Sequence, residues 1–308
     1  PGVHNLPNDT LFVPSGTTVY IDGGARVYGN IFTEGAHDVN IFGRGEVHPD
    51  GRGAGVWVRR SKNVRIDGIV VSQLPIGQCD SVELTNVKSI SYYGWGDGMD
   101  VFSSSNVILD GVFCRNSDDC AAVYASTQGF KGGSNNVLVK NATLWADVAH
   151  PINIGGHGDP NGMDTVQNVT FRNIDILDQA ENQIDYQGCL AINPGDNTLV
   201  RNITFENIRI EDFRNGQLVN FRISFNPKYC VSTGRGIQNV LVKDVTYNGS
   251  GENLSIIAGY DENHKIFGIR FVNLVVNGRK ITDDMPGKPK WYKTGDMAGI
   301  FVGENVEN

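Results

Sequence analysis

Three kinds of signal are scarce in this chain of 308 residues. No apolar run approaches the roughly 20 residues needed to span a bilayer as a helix, so no membrane partner is expected. No apolar stripe of 3.6-residue period reaches helical length, which argues against alternating strands and helices. Positive charge is also short: 26 Lys and Arg face 34 Asp and Glu, for a net charge of −8. That balance disfavours nucleic acid as a partner and mildly disfavours a long polyanionic substrate. The five cysteines, Cys79, Cys114, Cys120, Cys189 and Cys230, match no zinc spacing and read as buried small hydrophobes. Their odd number leaves at least one thiol free in a monomer. No cofactor and no metal are expected, and the oligomeric state is not indicated.

What is present is glycine, 38 residues of it, and an internal repeat. Glycine in excess suits a fold of many short strands and tight turns. The repeat is an Asn followed by alternating apolar residues. Copies begin at Asn63, Asn106, Asn136, Asn168, Asn202 and Asn239, with weaker ones at Asn86 and Gly268. Period-two alternation rich in β-branched residues predicts a strand at every copy. From Asn106 onward the interval between copies grows, as it would if a constant rung carried lengthening loops. Stacked rungs that bury their apolar faces only against neighbours form a solenoid. The fold class expected is therefore all-β, a parallel β-helix in a single domain over 1–308. Its coils are expected over about 13–282, with an irregular tail over 283–308. Recurring Asn at a coil corner would hydrogen-bond along the stack as a ladder.

The runs that precede the repeats carry the chemistry. They are Asp97-Gly-Met-Asp-Val, Asp119-Cys-Ala-Ala-Val, His150-Pro-Ile-Asn-Ile and Gly188-Cys-Leu-Ala-Ile. Aligned by apolar alternation, Asp97, Asp119 and His150 fall at one position on three successive coils, with Asp118 expected to splay away. Strands stack about 4.8 Å apart, so two such carboxylates repel and at least one pKa should rise. Stability offers no reason for that column, whereas glycoside hydrolysis needs a carboxylic acid beside a carboxylate.

At these residues the chain resembles the polygalacturonase family, glycoside hydrolase family 28. Gly96-Asp97-Gly98-Met99-Asp100 followed by Ser117-Asp118-Asp119-Cys120 is similar to that family's Asn-Thr-Asp-Gly and Asp-Asp-Cys. The stretches around Asp97–Asp119 and Phe221-Arg222-Ile223 also resemble the related family 49 of dextranases and isopullulanases. The resemblance implies a right-handed helix sense and an inverting mechanism. In it Asp118 is the general acid, and Asp97 with Asp119 hold and deprotonate water. The family's histidine falls on His150, although its flanking glycines are replaced by Ala149 and Pro151; His157 lies in the loop beyond.

Family 28 polygalacturonases continue with Arg-Ile-Lys, two cations that hold the sugar carboxylate. This chain keeps Arg222 but has Ser224 in place of the Lys. The loss removes a charge-assisted hydrogen bond worth roughly 1.5–3 kcal/mol. Trp95 replaces the family's Asn, and an indole suits stacking on a sugar ring. These departures favour a neutral glycan such as an α-glucan, with a pectin hydrolase of the polygalacturonase or rhamnogalacturonase type as the alternative. Further substrate-contact candidates are Tyr93, Tyr124, Asn153, His157, Tyr186, Gln187, Tyr260 and Asp261. Two other classes stay open: a Ca²⁺-dependent polysaccharide lyase with Arg222 as base, and a non-catalytic glycan-binding solenoid. A polymeric substrate implies a secreted or periplasmic protein, although no signal peptide is visible.

Overall fold

The computed structural model describes residues 1–251 and 253–307. Short strands stack in register into a right-handed parallel β-helix; among the described residues every strand pairing is parallel except Val275–Val276 with Arg279–Lys280. One wall is built from Met99–Phe102, Ala121–Tyr124, Ile152–Ile154, Leu190–Ile192, Val219–Arg222 and Ser255–Ala258. A second holds the Asn repeats, where Val64, Val82, Val107, Val137, Val169, Ile203, Val240 and Ile269 form one column. Alternate residues point inward, so a stripe such as Val64–Ile66 and Val137–Val139 is buried while its neighbours face water. Inside, Phe171, Phe205 and Phe221 stack with ring centres 5.8 and 5.9 Å apart.

The corners explain the asparagines. Asn63, Asn106, Asn136, Asn168, Asn202 and Asn239 all adopt left-handed backbone, φ between 52° and 57°. Asn tolerates that region better than other residues with a side chain. Its amide then reaches the next rung: Asn136 Nδ2 donates to Asn106 Oδ1 at 2.7 Å, and Asn202 Nδ2 to Asn168 Oδ1 at 3.1 Å. A second ladder, Asn141, Asn173 and Asn207, runs along the following corner. Asn86 belongs to this second corner, donating to Asp67 at 3.1 Å. The residue in register with Asn63 and Asn106 is Ser81, which shares their left-handed backbone at φ 60°. Both corners require positive φ, so the same residue type marks two different places.

Two expected boundaries are corrected. The first strand is Gly2–Phe12, paired with Ala25–Glu34, so the coils begin well before residue 13. The stretch 283–308 is not wholly irregular. Ile300–Val302 pairs with Ser255–Ile257, and Val306–Glu307 pairs with Ile266–Phe267, adding a further rung. The two C-terminal strands, three and two residues long, carry too little alternation to be read from sequence.

Candidate active site

The pairings Met99 with Ala121 and Ala121 with Ile152 place Asp97, Asp119 and His150 one above another at the start of that wall. The backbone continues the ladder there: Gly98 N donates to Asp119 O at 2.7 Å, and Cys120 N to His150 O at 2.8 Å. Glycine is required at 98, where a Cβ would lie 2.2 Å from Cys120 O. Below it, buried Asn116 donates through Nδ2 to Ser89, Ser91 and the Asp97 carbonyl, pinning the turn. Asp118 does not splay away. Its Oδ1 accepts the Asp119 N–H at 3.1 Å, and one oxygen from each of Asp97, Asp118 and Asp119 lies within 4.8 Å of the others.

The three carboxyls differ in surroundings. Asp119 is buried and accepts four hydrogen bonds. Oδ1 takes His150 Nδ1 at 2.7 Å and His150 N at 3.1 Å; Oδ2 takes Tyr124 Oη at 2.6 Å and Asn153 Nδ2 at 2.8 Å. Burial raises its pKa, but His150 and these donors outweigh burial and hold it below the usual carboxylate range. His150 is its counterpart: burial lowers its pKa, and the Asp119 charge with its hydrogen bond carries it above the ordinary imidazole value. Its Nε2 meets the Tyr186 carbonyl, fixing the ring. Asp118 is pushed up to about 7, first by burial and then by the Asp119 charge. Asp97 is raised well above the usual range by burial, then by Asp118 and Asp119.

These groups open onto a cleft of about 570 Å³. Among the sequence candidates, Tyr93, Trp95, Tyr124, Asn153, His157 and Tyr186 line it. Trp95 is 65% exposed at the rim, and His157 meets the Tyr124 ring edge-on at 5.0 Å. Four candidates do not line it. Gln187 is fully buried, and its amide is used in donating to Glu181 O at 2.6 Å. Tyr260 and Asp261 belong to a turn closed on His264, away from the cleft. Arg222 stands outside the lining, with its Nη1 bound to Asp185 at 2.6 Å.

Sequence reasoning missed Glu181, Lys228 and Tyr229, which enter the cleft from long loops. Loops carry no periodicity, so only the growing interval between repeats hinted at them. It also passed over Asp100, buried with Oδ1 unpartnered and raised well above its usual range, first by burial and then by Asp97. The three clustered carboxylates could approach a cation, but Asp119 has its lone pairs taken, and a hard cation wants six or more oxygens. A larger cavity of about 650 Å³ at the C-terminal end is lined mainly by apolar residues and holds no such cluster.

A parallel β-helix with clustered, unequal carboxyls in an aromatic-rimmed cleft defines a class of proteins that act on polysaccharides. Residues 56–285 match Glycosyl hydrolases family 28, and the chain belongs to that family. An exopolygalacturonase of Cochliobolus carbonum is 24% identical over 206 residues, covering 58% of this chain and 44% of the relative. An endopolygalacturonase of Emericella nidulans is 25% identical over 296 residues, covering 83% of this chain and 72% of the relative. The chain thus spans under half the length of the first. The family 28 exopolygalacturonase of Yersinia enterocolitica has the same fold: TM-score 0.73, 14% identity, all of this chain and 71% of that one. These relatives give no support to the expected preference for a neutral α-glucan.

Proposed function

We propose that this chain hydrolyses glycosidic bonds of pectic galacturonan. Asp118 acts as general acid, and Asp97 holds and deprotonates the attacking water. The observation that carries this reading is the Asp118 carboxyl, open to the cleft and pushed up to about 7. A glycosidic oxygen leaves readily only when protonated, so the site needs an acid that keeps its proton near neutrality. The backbone N–H groups of Asp97 and Asp119 face the Asp97 carboxyl, and among the described residues no side chain donates a hydrogen bond to it, leaving it free to bind water. After burial, the Asp118 charge does most to raise Asp97, so a protonated Asp118 favours an ionised Asp97. Asp119 departs from the role the resemblance implied. With four donors on two oxygens it has no lone pair to spare for water. It acts with His150 as a fixed ion pair that sets the protonation of its neighbours.

The pectic substrate is supported by the similarity to exo- and endopolygalacturonases, and the aromatic side chains of Trp95, Tyr93 and Tyr229 in the cleft suit stacking on sugar rings of either kind. Action on such a polymer entails export from the cytoplasm. One observation favours a second reading of the stereochemistry. Carboxyl oxygens within 4.8 Å are closer than the roughly 6.5–9.5 Å of most inverting pairs. Asp97 would then attack the sugar directly, with retention; proton NMR of the first-formed anomer separates the two.

The functional test incubates wild type and Asp118→Asn with polygalacturonate, rhamnogalacturonan and dextran, reading reducing ends. Release from a pectic polymer, reduced about 10²–10⁴-fold in the variant, is expected. Release from dextran alone would refute the substrate.

A further inference from the structure

The cleft is lined by four carboxyl groups, those of Asp97, Asp118, Asp119 and Glu181. Among the described residues its lining contains one Lys or Arg side chain, Lys228. That ammonium forms no ion pair within 4.0 Å there; its Nζ lies 4.8 Å from the centre of the Tyr229 ring. The backbone that presents it is locked. Lys228 N donates to Asn226 Oδ1 at 3.1 Å, and Tyr229 N and Cys230 N both donate to Asn226 O at 3.0 Å. Buried Cys230 and the bond from Gln183 Nε2 to Tyr229 Oη at 3.1 Å tie the loop to the wall. Arg222 is the reverse case: its charge is already matched by Asp185, and it stands outside the lining.

We infer that Lys228 recognises a uronate carboxylate of the bound chain, and that Arg222 does not. The inference rests on the pectic reading above and names the residue that makes it selective. A uronate entering a cleft lined by carboxyl groups is favoured where a cation stands to meet its own carboxylate. An unpaired ammonium on a rigid turn can make a charge-assisted hydrogen bond without first breaking another. A methyl ester of the same sugar keeps nearly the same size and loses the charge, so it isolates this contact.

The test compares kcat/KM on polygalacturonate with kcat/KM on highly methyl-esterified pectin, using the full chain. In Lys228→Ala that ratio should fall about tenfold, and Lys228→Arg should recover most of it. An unchanged ratio, or a larger fall in Arg222→Ala, would overturn the assignment. A second measurement titrates galacturonate oligomers into Asp118→Asn by calorimetry, with and without Lys228→Ala. Weaker binding in the double variant is expected. Equal binding sinks the Lys228 role while leaving the hydrolase reading intact. Wild type that turns over no pectic polymer, while oligomer binding still depends on Lys228, sinks the hydrolase reading alone.

Discussion

Raising the pH from about 5 to about 8 should remove most of the activity through one group, Asp118. With its pKa at about 7, the protonated fraction falls from about 99% at about pH 5 to half at about pH 7 and about 9% at about pH 8. The value of kcat/KM should therefore fall about tenfold over the last two units, with a slope of about one proton. The structure also predicts how that limb moves. His150 carries a positive charge that lowers Asp118. Neutral His150→Gln removes it, so the limb should shift to higher pH even as the maximal rate drops. Burial is the larger cause of the raised value, so salt should move the limb little. The assay is initial-rate reducing-end release across pH at constant ionic strength, for wild type, His150→Gln and Asp118→Asn. An alkaline limb that stays put in His150→Gln, or persists unchanged in Asp118→Asn, would refute the assignment.

Two stability predictions come from strained or unpaired groups. Burial, and then the Asp97 charge, raise the Asp100 carboxyl well above its value in the unfolded chain, so stability should fall as pH rises from the ordinary carboxylate value towards its raised folded value. Asp100→Asn should therefore raise the melting temperature by an amount that grows with pH over that window; a gain confined to acid would contradict the burial argument. Ala149 has φ 63°, left-handed backbone that an L residue with a Cβ adopts at a cost. Ala149→Gly should stabilise by about 0.5–1 kcal/mol after glycine's own entropy cost. A loss in calorimetric melting would show that the strain is relieved elsewhere.

Much of the fold was legible because its signal is local and repeated. Alternation marked the strands, and the asparagines marked corners, since a left-handed corner and a side-chain amide ladder select the same residue. The same logic misread Asn86, because two corners per coil share that demand and only the pairing of Ser81 with Asn63 and Asn106 separates them. Asp97, Asp119 and His150 could be aligned from sequence because parallel strands in register turn sequence offsets into contacts.

The sequence by itself determined the rung, its inward stripe and the acidic column, all properties of a residue and its near neighbours. Only the tertiary structure decided which carboxyl does what. Asp119 is saturated by four donors from three residues on two successive rungs, and Asp118 curls back onto its own neighbour's amide. It also decided which cation faces the cleft: Arg222 meets Asp185, and among the described residues Lys228 forms no ion pair. Those outcomes depend on burial and on charges brought together by loops, and nothing in the period of a strand encodes where a loop will end.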